Sequence, residues 1–318
     1  MEGGKAIAGP GHRQAVRGVL PCPVWDYGAT SQKLRGPPPG PYKLHMHLLV
    51  FGLGYTSGHF ARAFAAAHPQ ARLTAVRSRP GPDTLTLTDP ALPAAIASAT
   101  HILSAIPPEG DDGEDPVLRH HAAAIAAAPA CWVGYLSSAG VYGNTQGAWV
   151  DETAPLTGRR AGRLAADQTW ASLHRQARVF RLPGIYGPGR STLERLQKMP
   201  IPRIDLAGHV FCRVHVDDIT SALMASLRHG APGIYNVADD HPAPRHLVTA
   251  LCQRLLGLPV GPLEQLETAT VSAQGRAFYA ESRRVANGKM KRELGVVLRY
   301  PDYISGHLAC FKAMETTP

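Results

Sequence analysis

The sequence predicts an α/β fold, a doubly wound parallel sheet with a small C-terminal α+β lobe. Three observations predict it. Short apolar runs alternate with Ala-rich helical stretches from His47 to about Tyr186. A glycine-rich turn, VFGLGYTSGHF, joins the first run to the first helix. Beyond Tyr186 the alternation fades into short elements interrupted by Pro and Gly. Strands alternating with helices imply right-handed crossovers and a sheet covered on both faces. The strand order expected of such a sheet is 3-2-1-4-5-6.

Residues 1–45 come first. They are rich in Gly and Pro, as in RGPPPGPY, and show no period of 2 or 3.6. They are expected to be a disordered or non-native extension. Met46 offers an alternative translation start, because patterned sequence begins there; a transit peptide is a weaker third reading. The segment lacks the apolar stretch of a secretory signal.

HLLVF reads as the first strand and TSGHFARAFAAAH as the first helix. ARLTAVR is the second strand, TLTLTD the third, and an Ala-rich helix runs to Ala99. THILSAIPP is a strand, DPVLRHHAAAIAAA a helix and CWVGYLSS a strand. A long loop, a helix over 159–175 and the strand RVFRLPG complete the series. The expected division is residues 46–186 for the sheet domain and 187–318 for the mixed lobe, with parts of the lobe returning to the sheet.

Composition narrows the function classes. Hydrophobic residues make up 44% and aromatics 7%, so the core is built mostly of Ala, Val, Leu and Ile. No stretch approaches the roughly 20 consecutive apolar residues of a membrane span. The net charge is +9. Residues 1–45 carry +4 of it, from Lys5, Arg13, Arg17, Lys33, Arg35 and Lys43 against Glu2 and Asp26. The remaining +5 forms no basic run, so a nucleic-acid partner is not expected. Five cysteines (Cys22, Cys131, Cys212, Cys252, Cys310) are scattered without a C-x-x-C, which fits a reduced, cytoplasmic chain. His45, His47 and the pair His120–His121 lack partners at metal spacing, and no metal is expected. The acidic loop EGDDGED, Glu109–Asp115, lacks calcium-hand spacing and reads as solvated.

The turn after the first strand carries chemistry. Gly52 permits a tight turn, and Gly54 lets the backbone approach a pyrophosphate at the helix N-terminus, opened by Tyr55 and Thr56. Ser57 stands where a third glycine is usual. It is small enough for helix–strand packing and could donate its hydroxyl to a phosphate. The next strand ends in Val76-Arg77-Ser78-Arg79 without the acid that holds the ribose 2′-hydroxyl of NAD. Two guanidinium groups and a hydroxyl suit a 2′-phosphate, so NADP is expected, with NAD as the alternative.

CWVGYLSSAGVYGN, the helix that follows it, RLPGIYGPG, VHVDDI and GIYNVADD together resemble the short-chain dehydrogenase/reductase superfamily, in its extended NAD-dependent epimerase/dehydratase branch. The resemblance runs from about Leu48 to Leu308. It implies a Rossmann-type sheet and an NAD(P)-dependent oxidoreductase or epimerase/dehydratase acting on a small molecule, and it is compatible with a homodimer. It implies that Ser138 polarises a substrate carbonyl or hydroxyl, with Tyr142 four residues on, and that Pro183 and Gly184 line the nicotinamide. In VHVDDI, Asp217 or Asp218 would cap a helix, with His215 packed nearby.

One feature departs from the family. Its dehydrogenases carry Tyr-x-x-x-Lys at the start of the helix after SSAGVYG. Aligned here, the lysine position is Arg163 and the tyrosine position Arg159. A spacing of four puts both on one helix face. Arg163 would hold the ribose hydroxyls, whereas Arg159, a guanidinium, stays protonated at any working pH and cannot be the acid/base. The chain therefore reads as an atypical member. Either Tyr142 or Tyr186 replaces the tyrosine while Arg159 orients an anionic substrate, or the protein is a non-catalytic NADP-binding sensor or scaffold.

Overall fold

The computed structural model describes residues 46–79, 81 and 84–316; readings on 1–45 lie outside them. Seven strands form the main sheet: β1 (His47–Phe51), β2 (Arg72–Val76), β3 (Thr84–Leu85), β4 (His101–Ser104), β5 (Trp132–Ser138), β6 (Ala177–Leu182) and β7 (Gly233–Asn236). Their spatial order is 3-2-1-4-5-6-7, and every neighbouring pair is parallel. The expected order is present, and β7, from the second half of the chain, extends it by one strand beside β6. The third strand is shorter than the run TLTLTD, covering only Thr84 and Leu85.

Residue alternation explains why the sheet is buried twice. Leu48 and Val50 face one cluster, Leu49 and Phe51 the other, and all four are fully buried. Successive strand side chains point to opposite faces, so a run with no polar break needs cover on both sides. On the first face, α1 (Tyr55–Ala67) supplies Phe60 and Phe64. On the second, α2 (Leu92–Ser98), α3 (Pro116–Ala126) and α4 (Ala161–Leu173) supply Ile96, Val117, Ile125 and Trp170. Each such side chain contributes about 1.5–3 kcal/mol by leaving water.

The second half contributes α5 (Thr192–Lys198), α6 (Val216–Ser226), α7 (Arg245–Leu255), α8 (Ala273–Tyr279), α9 (Gly288–Leu294) and α10 (Tyr303–Glu315). Ile219 and Leu223 of α6 and Met290 of α9 join the first face of the sheet. The Trp132 indole donates to Ser226 Oγ at 3.1 Å, fastening β5 to α6. Helices α5, α7 and α10 build a separate small core around Leu193, Leu196, Val248 and Cys310. Gly184–Tyr186 pairs in parallel with Arg213–His215, which sets the chain after β6 against the start of α6.

Candidate active site

The turn between β1 and α1 is made by its backbone. Gly52 has φ +82°, and a Cβ there would meet Ile106 Cγ1 at 2.7 Å. Only glycine suits both conditions. Around Gly54 there is open space, with no atom within 4 Å of a Cβ, so a ligand can approach the exposed backbone. Ser57 is buried, and its hydroxyl donates to Gly52 O at 2.6 Å and accepts from Gly54 N at 2.9 Å. It braces the turn from inside, in the packing role its small size suggests, and its hydroxyl proton goes to the Gly52 carbonyl and not outward to a phosphate. Thr56 is buried beside it. Tyr55 reaches outward, donating its hydroxyl to Pro188 O at 3.0 Å, with the Arg190 guanidinium 5.5 Å from its ring centre. Arg77, Ser78 and Arg79 follow β2 and are all exposed. No acid stands in that run, so the residues present fit a dinucleotide with a 2′-phosphate.

An open cavity of about 850 Å³ lies at the carboxyl ends of β5 and β6. It brings together Ser138, Arg159, Arg163, Pro183, Gly184 and Tyr186. Tyr142 is absent from its lining. Ser138 ends β5, and its hydroxyl accepts from Gly140 N at 3.1 Å, capping the short turn Ala139–Tyr142. Pro183 and Gly184 follow β6 directly. The strand register therefore sets the serine and the LPG segment side by side, since Ser138 pairs with Leu182.

The expected pairing of Arg159 with Arg163 on one helix face is corrected. Helix α4 begins at Ala161, with Arg160 as its extended cap, and ends at Leu173. Two glycines set that start. A Cβ on Gly158 would meet Gly140 O at 2.4 Å, and one on Gly162 would meet Gly113 O at 2.1 Å. Gly162 N donates to Asp111 O at 3.0 Å, and Arg160 pairs with the Asp111 carboxylate at 3.2 Å. The acidic loop thus docks on the helix start and holds Arg159 outside it. Arg159 crosses to the other half of the chain, donating to Glu281 at 2.6 Å and to Ala277 O at 3.2 Å. Arg283 also bonds Glu281. Burial opposes ionisation of Glu281, but Arg159 and Arg283 together hold its carboxyl below the usual range.

The same loop is exposed at Glu109, Asp111, Asp112 and Glu114, as the solvated reading expects, and departs from that reading at Asp115. Glu109 pairs with Arg119, and Asp115 is buried, capping α3 through Val117 N and Leu118 N while accepting from the Trp170 indole at 2.9 Å. Trp170 stacks on Tyr135, with ring centres 5.2 Å apart and planes 9° from parallel. The Tyr135 hydroxyl accepts from Arg163 at 3.1 Å. Arg163 is therefore braced from below while its guanidinium reaches the cavity.

Neither candidate phenol is free. Tyr142 is buried, donates to Asn236 Oδ1 at 2.7 Å and accepts from Arg181 at 3.0 Å, so its role as a replacement acid/base is corrected. Burial raises its pKa, against the pull of Arg181. Tyr186 lines the cavity but is almost buried, stacked on His307 and edge-on to His215. Burial drives its pKa well above the ordinary phenol value. In the VHVDDI motif the cap of α6 is the His215 imidazole, which accepts from Asp217 N at 3.2 Å. Asp218 accepts from Arg299 N at 2.7 Å and Tyr300 N at 3.1 Å, so neither aspartate caps the helix.

Sequence reasoning missed two features. One is a buried pair, Arg181 with Asp167 at 2.6 Å, joined by the Ser137 hydroxyl at 2.6 Å. No local signal marks it. The other is the cavity wall of α5 and α7, with Arg195, Lys198 and Arg245. Ser191 and Glu194, which form a capping box, are the signal that opens α5 and places Arg195 and Lys198 on it. In all, the lining holds nine arginines and lysines to two glutamates, an excess that favours anions.

No family model and no curated protein matches the sequence. Solved structures do. A functionally unknown conserved protein from Silicibacter pomeroyi is 39% identical, with 84% of this chain and 99% of that one aligned and a TM-score of 0.76. An assigned NAD-dependent epimerase/dehydratase from Methylobacillus flagellatus is 25% identical over 86% of this chain and all of that one, with a TM-score of 0.65. The chain belongs to the extended short-chain dehydrogenase/reductase family. A human epimerase family protein solved with NADPH shares the fold at 18% identity and a TM-score of 0.66, over 86% of this chain and all of that one. Within the extended short-chain dehydrogenase/reductases, the arginines at positions 159 and 163 set this chain apart from the Tyr-x-x-x-Lys pattern.

Proposed function

We propose that this chain is an NADP-dependent oxidoreductase or epimerase/dehydratase-like enzyme acting on a small, anionic carbonyl or hydroxyl compound. One observation carries the reading: Ser138, Arg163, Pro183 and Gly184 line one cavity at the carboxyl ends of β5 and β6. In an open α/β sheet, that edge is where ligands bind. Gly52, Gly54, Tyr55 and Thr56 would hold the pyrophosphate, and Arg77, Ser78 and Arg79 the 2′-phosphate, with NAD the weaker ligand. The solved human relative with NADPH supports this choice. Bound cofactor would supply or accept the hydride. Ser138 would hydrogen-bond the substrate oxygen, and Arg163 would stabilise negative charge developing there. Residues 46–186 would form the dinucleotide-binding domain and 187–318 the substrate lobe, apart from β7. Among the described residues no helix is long and apolar enough to cross a membrane. Cytoplasmic residence and a homodimer belong to the same proposal, and light scattering on the purified chain checks the second.

The buried, bonded state of Tyr142 and Tyr186 favours a second reading, an NADP-binding sensor or scaffold without turnover. Calorimetry with NADPH and NADH, followed by NADPH oxidation across a panel of anionic aldehydes and ketones, separates the two. Tighter NADPH binding with turnover supports the enzyme. Binding without turnover on any member supports the sensor, and no binding of either nucleotide overturns both.

A further inference from the structure

Residues 266–281 supply one wall of the cavity, through Ser272, Gly275, Ala277, Phe278 and Glu281. Both ends of this segment are fixed. Before it, Leu263–Gln265 pairs in parallel with Arg203–Asp205. After it, Arg284–Val285 pairs with Trp149–Val150. Ser282, at that second end, donates its N–H to Asn144 Oδ1 at 3.0 Å, and its carbonyl accepts from Thr145 N at 3.1 Å and Gly147 N at 2.9 Å. Between the two ends the hold is weaker. Of the described side chains of α8, only Tyr279 is buried, in a small cluster with Ile204 and Ala269 and under the Arg245 guanidinium. The Arg276 bonds, to Leu266 O at 2.7 Å and Ala269 O at 3.1 Å, stay within the segment. Phe278 is 56% exposed beside the cavity. A helix with so few buried apolar contacts opens at a lower free energy than the sheet beneath it.

Arg159 crosses from the start of α4 to hold this segment. Its Nη2 donates to Ala277 O in the last turn of α8, and its Nε donates to Glu281. We propose that residues 266–281 form a flap over the cavity and that Arg159 is its latch, a positioning residue that sets access to Ser138 and Arg163. The side chain that stands where the family has its tyrosine thus acts mechanically, across the cavity mouth. The Arg159 side chain is mostly exposed, so salt screens the ion pair and the latch is reversible. With the latch made, α8 and Phe278 stay at the cavity wall and limit the entry of water. With it cut, the Tyr279 cluster and the Arg276 bonds are left to keep α8 in place. The flap covers the cavity whichever ligand binds there, so it stands apart from the nucleotide reading.

Amide hydrogen exchange on the full chain, without ligand, tests the latch. Arg159→Gln should speed exchange in α8 at least about threefold and leave β5 unchanged. Glu281→Gln should act in the same direction. The two combined should give less than the product of the single effects, because they cut one interaction. Arg159→Lys, which keeps the charge and loses the fork, should fall between Arg159→Gln and the natural chain. In the natural chain, raising salt from about 0.05 M to about 1 M should speed α8 exchange about twofold, and in Arg159→Gln it should not. Exchange in α8 unchanged by Arg159→Gln overturns the proposal. So does a rise shared equally by α8 and β5, which would mark general destabilisation, or an identical salt response with and without Arg159.

Discussion

The turn over Gly52–Gly58 and the cavity below Ser138 are built by opposite means. The turn presents backbone, shaped by a glycine at φ +82° and locked by the Ser57 hydroxyl. The cavity presents side chains, whose charges depend on what each meets across the fold. The lesson is that a count of arginines is not a count of available charges. Arg181, buried, is wholly engaged by Asp167 and Tyr142, Arg159 is shared with Glu281, and Arg195 has no acid partner among the described residues.

The comparison breaks hardest at Arg181. Asp167→Ala leaves a buried guanidinium unpaired and should cost about 3–5 kcal/mol of stability, read from the urea midpoint. A loss below about 1 kcal/mol would mean that Arg181 finds water on its own. Next comes the turn. Gly52→Ala forces a Cβ toward Ile106 at a positive φ, with a cost of roughly 1–3 kcal/mol. NADPH affinity should fall with it. Arg77→Ala with Arg79→Ala should weaken NADPH about tenfold or more and spare NADH, as expected for lost charge-assisted bonds to a phosphate. Equal weakening of both nucleotides would return the pair to surface charge.

The smallest effect concerns pH. Burial raises the Asp239 carboxyl to about 8, against the pull of Arg213. A carboxyl whose folded pKa lies above its unfolded value loses stability as pH rises between the two. Burial also lowers His101, His215 and His307 to about 4, so their share of stability is lost as pH falls below 6.5. Stability should therefore peak near pH 6.5. Asp239→Asn should flatten the alkaline limb of a denaturant-midpoint profile and steepen the acid limb, because the contribution of this carboxyl spans both.

Much of the fold was legible because it depends on short-range pattern. HLLVF has no polar break, which is the signature of a strand buried on both faces, and the alternation of such runs with Ala-rich helices set the sheet order. The seventh strand, GIYN, was not, since four residues between turns carry too little period. The glycine turn was legible because backbone conformation restricts residue type locally. The start of α4 was not. TGRRAG has helical spacing, but Gly158 and Gly162 answer to Gly140 and Gly113, which lie elsewhere in the chain. The partner of Arg159 stands 122 residues away. Local spacing carries no information about that distance, so the paired and unpaired cations looked alike in sequence.

The stack of Trp170 on Tyr135, with Tyr135 bonded to Arg163, also gives the protein an optical reporter. Trp170 is fully buried and its indole N–H is fixed on Asp115, so solvent contributes little to its emission. An anion arriving at Arg163 changes the electric field along the ring pair. Occupancy of this corner should then be readable as a shift in tryptophan fluorescence, without a label and without knowing the substrate in advance.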